Sequence, residues 1–338
     1  MNTRVGLLIV TALALAGLTH GADADQGGPL GSLEVGAERS PAGIGSKIAF
    51  TRLRQDVSSP DNSELLEAEI WVMNGNGADP RQVTFNTTDD LGAVWSPNGH
   101  TIAFYATQFA PDASGELVAT GPPHIYLIDA DGGPQTVLTD SRARWPSWSP
   151  NGKQIAFDNG GPTAGDILTI NADGSGEPVN LTASASARNI RPDWSPNGRK
   201  IAFTSRRDGD DEIWVMNADG TDPIQLTDNG ALDNAANWSP NGRKILFQSN
   251  RDGNDEVYVM NHDGTGQTRL TNHPGRDLDP DWSPNGSKIA FERDIEPIQK
   301  RIVEVFTMNA DGTEQTPLTA LPTENGHPAW NQGTASAP

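Results

Sequence analysis

The sequence contains no cysteine among its 338 residues. That excludes disulfides, thiolate metal sites, a cysteine nucleophile and an N-terminal lipid-modified cysteine, and it leaves the redox compartment open. Positive charge is scarce: 24 Lys and Arg stand against 44 Asp and Glu, for a formal charge of −20. A surface this acidic repels phosphate backbones and anionic membranes, so nucleic acid is not an expected partner. Basic partners and divalent cations remain open. Long apolar runs are missing after residue 18, so no later segment is expected to cross a bilayer. Catalytic signatures are missing too. There is no His-Glu-x-x-His, no Walker A loop, no Rossmann fingerprint and no Gly-x-Ser-x-Gly. The six histidines are scattered, too few on any one face for a three-His metal site.

What is present begins with a leader. Arg4 precedes an apolar run over residues 5–18, and Ala22-Asp23-Ala24 offers a small-x-small cleavage site. That order predicts a secretory signal peptide over residues 1–24. As a helix the run would span about 21 Å, short of a hydrocarbon core of about 30 Å. An uncleaved anchor is the alternative. The mature chain is therefore expected in the periplasm or outside the cell, and not transmembrane once the signal is removed. Residues 25–44, rich in Gly, Ala, Ser and Pro, read as a flexible lead-in, and 334–338 as a tail. Gly and Pro together make up about 18% of the chain, which disfavours long helices. Apolar residues plus Gly reach about 46%, enough for a sizeable core.

Between leader and tail the chain repeats itself. Trp-Ser-Pro-Asn-Gly occurs at Trp95, Trp148, Trp194, Trp238 and Trp282, at spacings of 53, 46, 44 and 44 residues. A degenerate sixth copy begins at Trp330. Each full copy is followed by a short apolar run such as Ile201-Ala202-Phe203. Then come a second run such as Ile213-Trp214-Val215-Met216-Asn217, an Asp-Gly turn, and a third run ending in Leu-Thr. Pro presets φ, Asn tolerates left-handed backbone and Gly takes positive φ freely, so Ser-Pro-Asn-Gly joins two antiparallel strands. The runs are short and rich in β-branched and aromatic residues, which predicts strands. Four strands, a to d, per 44–53 residues is the size of a propeller blade.

Strand counting predicts closure. The b-c-d set occurs six times, beginning near Lys47, Thr101, Gln154, Lys200, Lys244 and Lys288. The first set lacks a strand a, and Trp330 ends a strand a with no set after it. The chain is thus expected to form an all-β, six-bladed β-propeller over residues 45–333, with four antiparallel strands per blade. The C-terminal strand a, at residues 327–330, would pair with the N-terminal strand b, at residues 46–51. Each repeated Trp would pack between blades, and Trp238→Ala would cost about 3–5 kcal/mol.

The residues Pro192-Asp193-Trp194-Ser195-Pro196-Asn197-Gly198, Lys200-Ile201-Ala202-Phe203-Thr204-Ser205, Asp208-Gly209 and Asn217-Ala218-Asp219-Gly220 together resemble the WD-like repeat of the TolB β-propeller family. The likeness covers about residues 46–333, and Pro328-Ala329-Trp330 resembles the closing strand of such propellers. Family members of the Tol–Pal envelope system carry an α/β domain ahead of the propeller. Here residues 25–44 are all that separates leader from first blade, so that domain and its partner contacts are expected to be missing. Similar repeats occur in propellers attached to serine peptidases, but the hydrolase domain those enzymes need is not expected here.

Strand order assigns loops to faces. The a–b and c–d turns share one nearly uniform face, read as scaffold. The b–c and d–a loops share the other, which varies and includes insertions at 53–69, 107–123 and 293–301. Variable loops on a rigid frame are the usual place for binding. Counting three and five residues back from each Trp gives candidates for the channel rim: Asp90, Trp145, Arg191, Asp233, Asp277, Asp279 and His327. Converging carboxylates suit a divalent cation such as calcium, or a cationic or polyhydroxylated ligand, although no cofactor is required. Two b–c loops, Asp208 to Glu212 and Asp252 to Glu256, resemble calcium loops in composition. Their Gly stands second instead of sixth, and strand c would carry the twelfth positions, Asp219 and Asp263, about 20 Å away, so they read as turns.

The expected function is that of a non-enzymatic scaffold, a monomeric propeller binding an envelope or extracellular protein or ligand. The alternative is a channel-mouth lyase or hydrolase acting on a carbohydrate or small molecule, with Asp277, Asp279 and His327 as first suspects.

Overall fold

A computed structural model of the chain describes residues 47–54, 67–111, 117–161, 164–183, 187–295, 303–320 and 324–332. The expected leader, lead-in and tail lie outside the described residues, as do parts of the three inserted segments.

The first sheet contains β1 (Lys47–Arg54), β2 (Glu67–Asn74) and β3 (Arg81–Gln82). The second contains β4 (Thr88–Trp95), β5 (Thr101–Pro111), β6 (Leu117–Ala119), β7 (His124–Asp129) and β8 (Thr136–Val137). The third runs β9 (Arg144–Trp148), β10 (Gln154–Asp158), β11 (Ile167–Asn171) and β12 (Val179–Asn180). The fourth runs β13 (Asn189–Trp194), β14 (Lys200–Ser205), β15 (Glu212–Asn217) and β16 (Ile224–Gln225). The fifth has β17 (Asp233–Trp238), β18 (Lys244–Ser249), β19 (Glu256–Asn261) and β20 (Thr268–Arg269). The sixth has β21 (Asp277–Trp282), β22 (Lys288–Asp294), β23 (Val303–Asn309) and β24 (Thr316–Pro317). The last strand, β25 (Asn325–Trp330), pairs antiparallel with β1, with Ile48 opposite Trp330 and Ala49 opposite Ala329. Six antiparallel blades result, and the seam blade is built from both ends of the chain. The described residues include no helix. One feature departs from the simple repeat: the second blade's insertion continues β5 and adds the short β6 beside it.

The core lies between blades. Between the third and fourth blades, Ala156 and Ile167 meet Trp194, Ile201, Phe203 and Met216. Between the sixth and first, Ala290 and Val305 meet Ile48, Phe50, Met73 and Trp330. The remaining four junctions repeat the pattern. The repeated Phe is sealed in all six. The Trp is buried at positions 95, 194, 282 and 330 but only half-buried at 148 and 238, so Trp238 is not the most costly Trp to truncate.

Two recurring motifs have local explanations. In each Ser-Pro-Asn-Gly turn the Gly lies at positive φ (69° at Gly198), and a Cβ there would lie 3.7 Å from Pro150 of the preceding turn. The turns thus tile around one face. The Thr closing each third run turns its hydroxyl back on strand c. Thr84, Thr139, Thr182, Thr227, Thr271 and Thr319 each accept a backbone N–H at 2.9–3.0 Å. These buried donors would otherwise lack a partner.

Candidate functional site

The innermost strand of every blade carries a β-bulge. Between β13 and β14, Ile190 faces Thr204 and Asp193 faces Ala202, so three steps on one strand match two on the other. The same shift occurs in the other five blades. The residue three before each Trp sits at the bulge with left-handed backbone: Gly92 (φ 61°), Trp145 (51°), Arg191 (53°), Ala235 (54°), Asp279 (46°) and His327 (49°). Left-handed backbone costs a non-glycine residue about 1–2 kcal/mol. Three of the six are tied down through their N–H by a side chain of the preceding blade. Asp158 accepts from Arg191 at 3.1 Å, Gln248 from Asp279 at 3.3 Å and Glu292 from His327 at 3.0 Å. Each acceptor follows the repeated Phe of its own blade.

Four of these residues, from four different blades, meet at the centre of the ring. Arg191 donates to one carboxylate oxygen of Asp279, and His327 Nδ1 lies 2.5 Å from the other. The Arg191 guanidinium lies 3.7 Å from the centre of the Trp145 ring. Trp145 meets His327 edge-on and Tyr105 at a tilt, both at 5.3 Å between ring centres. At position 92 a Cβ would lie 2.7 Å from Tyr105 Cε1, so only glycine fits beside that ring. The mouth is nevertheless open to solvent: side-chain exposure is 19% for Arg191, 12% for Asp279 and 24% for His327.

The electrostatics follow from these contacts. Burial pushes the Asp279 carboxyl up, but Arg191 and His327 outweigh it and hold the group well below the usual carboxylate range. Burial lowers the His327 pKa, yet Glu292, 3.7 Å away, and Asp279 raise it further, so the net shift is upward. Two cations therefore face two carboxylates. Asp279, Glu292 and His327 each bring one donor atom within 4.8 Å of the others, a set able to hold a metal ion. The guanidinium already on Asp279 opposes a divalent cation there.

The other three rim candidates sit elsewhere. Asp90, Asp233 and Asp277 are fully buried between blades. Asp90 accepts from Thr88 and Asn86, Asp233 from Asn229 and Arg251, and Asp277 from both Nε and Nη2 of Arg293 at 2.6 Å. In an unbroken strand, positions three and five back share a face. The bulge begins at the third position and breaks that alternation, and the fifth position, still in regular register, faces the blade junction.

Residues missed by that count line the channel one step deeper. In four blades the side chain just before the Trp accepts the backbone N–H of the next blade's Trp. Ser147 serves Trp194 (3.1 Å), Asp193 serves Trp238 (2.7 Å), Asn237 serves Trp282 (3.4 Å) and Asp281 serves Trp330 (2.5 Å). Burial raises Asp193 to about 7 and Asp281 to about 8, the latter also through Asp193. The polar type of residues 147, 193, 237 and 281, each beside a core Trp, was the available signal. Glu292 could have been found as the carboxylate following the repeated Phe291.

Comparison with known proteins agrees with this geometry. The model of a family described as the TolB beta propeller domain matches residues 120–331. No curated protein matches the chain. Among solved structures, TolB from Acinetobacter baumannii is similar with a TM-score of 0.66 and 21% identity, over 85% of this chain and 67% of that one. A putative TolB from Agrobacterium tumefaciens gives 0.62 and 21%, over 83% of this chain and 91% of that one. Hydrazine synthase of Kuenenia stuttgartiensis gives 0.64 and 17%, over 85% of this chain and 47% of that one. At these identities the structural likenesses show a shared fold.

Proposed function

The chain belongs to the TolB beta propeller domain family, and on that footing we propose that it is a non-catalytic binding ring of the periplasm or cell exterior. It meets a protein or other ligand through the face that carries the b–c and d–a loops. One observation carries this reading. All six blades hold a left-handed residue at the channel mouth, and five of the six are not glycine. Strained backbone that presents Trp, Arg, Ala, Asp and His side chains to one opening points to recognition, because strain of this kind gathers at functional sites. The opposite face repeats one turn five times.

Trp145 supplies an aromatic surface and Arg191 a cation stacked on it. Asp279 and His327 supply hydrogen-bonding groups that are already paired with neighbours. A partner inserting a polar side chain or a chain terminus would exchange these internal pairs for its own. The leader supports an extracytoplasmic setting, and the acidic surface favours a partner with basic groups.

The test is affinity capture from envelope extracts with the wild-type chain and with Trp145→Ala/Arg191→Ala. The expected result is a protein recovered by the wild type and lost with the variant. Recovery that does not depend on the mouth would contradict the reading. A second reading, a metal-dependent lyase or hydrolase on a carbohydrate or small molecule, rests on the Asp279, Glu292 and His327 trio. Calcium titration by calorimetry separates the two: heat that disappears in Asp279→Ala favours the second, and no heat favours the first.

A further inference from the structure

Glu212 begins β15 and Asp233 begins β17, and both are sealed between the fourth and fifth blades. Asn229 clips them together. Its backbone N–H donates to Glu212 Oε1 at 2.8 Å and its Nδ2 to Asp233 Oδ2 at 2.7 Å, while Arg251 Nη2 also donates to that Oδ2 at 2.7 Å. The remaining oxygens, Glu212 Oε2 and Asp233 Oδ1, are buried and make no hydrogen bond of ordinary geometry, although the Thr227 hydroxyl lies against the Glu212 carboxyl and acts to lower its pKa. An ionised carboxylate can only accept, so two such oxygens cannot satisfy each other.

The repeat shows what is missing. At the junction of the sixth and first blades the equivalent residues are Glu304 and Asn325. Asn325 Oδ1 accepts from Arg52 Nε at 2.7 Å, as Asp233 Oδ2 accepts from Arg251. Asn325 Nδ2 then donates to Glu304 Oε2 at 3.1 Å. Asp233 Oδ1 occupies the place of that amide nitrogen, so an oxygen stands where a donor is needed. We propose that Glu212 and Asp233 share one proton at neutral pH, in a carboxyl–carboxylate hydrogen bond between Glu212 Oε2 and Asp233 Oδ1 that latches the fourth blade to the fifth.

The surrounding charges fit. Arg251 is the cation on the pair, and Asp210 adds a repelling negative charge. Asp211, next to Glu212, is taken up by Arg188 and Arg206. Thr227 faces Glu212 through its hydroxyl. Burial, with Asp233 and Asp210, pushes Glu212 up to about 7. The junction of the fifth and sixth blades shows the other solution. There Glu256 has Arg269 and Asp277 has Arg293, two cations for two carboxylates, so no shared proton is needed. Without its proton, the Glu212–Asp233 pair would place two buried negative charges against one guanidinium. The Asn229 clip, and with it loop 228–232 on the variable face, would loosen.

The test is a carbon-detected titration of glutamate carboxyls in the full chain, with Glu212 assigned by its loss in Glu212→Gln, alongside amide exchange of residues 228–232. In the wild type Glu212 should titrate at about 7, and loop exchange should rise over the same range. In Asp233→Asn the new amide donates as Asn325 does, so Glu212 should fall towards the ordinary glutamate value of about 4.3. Loop exchange should then stay flat between about pH 6 and about pH 8, beyond its intrinsic dependence. Glu212→Gln should flatten it likewise, which keeps the test available if one variant folds poorly. A wild-type Glu212 titrating at about 4.3, or a rise in exchange that persists in both variants, would overturn the proposal.

Discussion

Ala235 occupies backbone that suits glycine (φ 54°), and it is the smallest of the five non-glycine side chains at the mouth. Ala235→Gly should therefore stabilise the protein by about 0.5–1 kcal/mol, as relief of left-handed strain exceeds the entropy glycine adds to the unfolded chain. Urea unfolding reads this directly, and destabilisation would contradict the strain described at the bulge. Trp282, 4% exposed, is the better probe of junction packing. Trp282→Ala should cost about 3–5 kcal/mol, and Trp238→Ala less, because Trp238 is half-buried. Single positions were only partly legible in the sequence. Of the residues counted back from Trp, the structure brings Trp145, Arg191, Asp279 and His327 together. The same count misplaced Asp90, Asp233 and Asp277, because it assumed unbroken alternation where the strand carries an extra residue.

At the scale of elements, the strands were legible because six copies of one pattern average out local ambiguity. The starts of the six b strands, from Lys47 to Lys288, agree with the sequence reading. The bulge was not legible, since no residue type marks it: its left-handed position holds Gly, Trp, Arg, Ala, Asp and His in turn. Nor did the inserted segment after Thr107 announce the β5 extension and β6. Four of the junctions between innermost strands are tied by the side chain preceding a Trp, which gives a further prediction. Asp281→Ala leaves the Trp330 N–H without its acceptor and should cost about 1–3 kcal/mol. Asp281→Asn keeps an acceptor and removes a carboxyl that burial pushes up to about 8, so it should be neutral or stabilising in alkaline buffer. Urea midpoints of the two variants check this, and equal losses would show that the acceptor does not matter.

For the whole molecule, closure was legible from a strand missing at one end and spare at the other, and β25 pairs with β1 accordingly. The ring also carries a pH signature. Burial raises Asp90, Asp193 and Glu212 to about 7 and Asp281 to about 8. Between their ordinary values of about 4 and these raised ones, the folded chain binds more protons than the unfolded chain, so stability falls as pH rises. His327 acts in the same direction above its ordinary value, since its pKa is raised on folding. Asp279 acts oppositely, and only in acid below about pH 4, where protonation removes its pairing with Arg191. The melting temperature should thus be highest at about pH 4 and decline towards about pH 9, whereas a flat or rising profile would contradict the buried carboxylates described. Which face of the ring binds is tested most directly by photo-cross-linking in the envelope, with the probe placed either at Phe85, 75% exposed in a d–a loop, or at Asn197 in a turn of the opposite face. Adducts with another protein from position 85 and none from position 197 are predicted; adducts from position 197 alone, or equally from both, would contradict the assignment of the binding face.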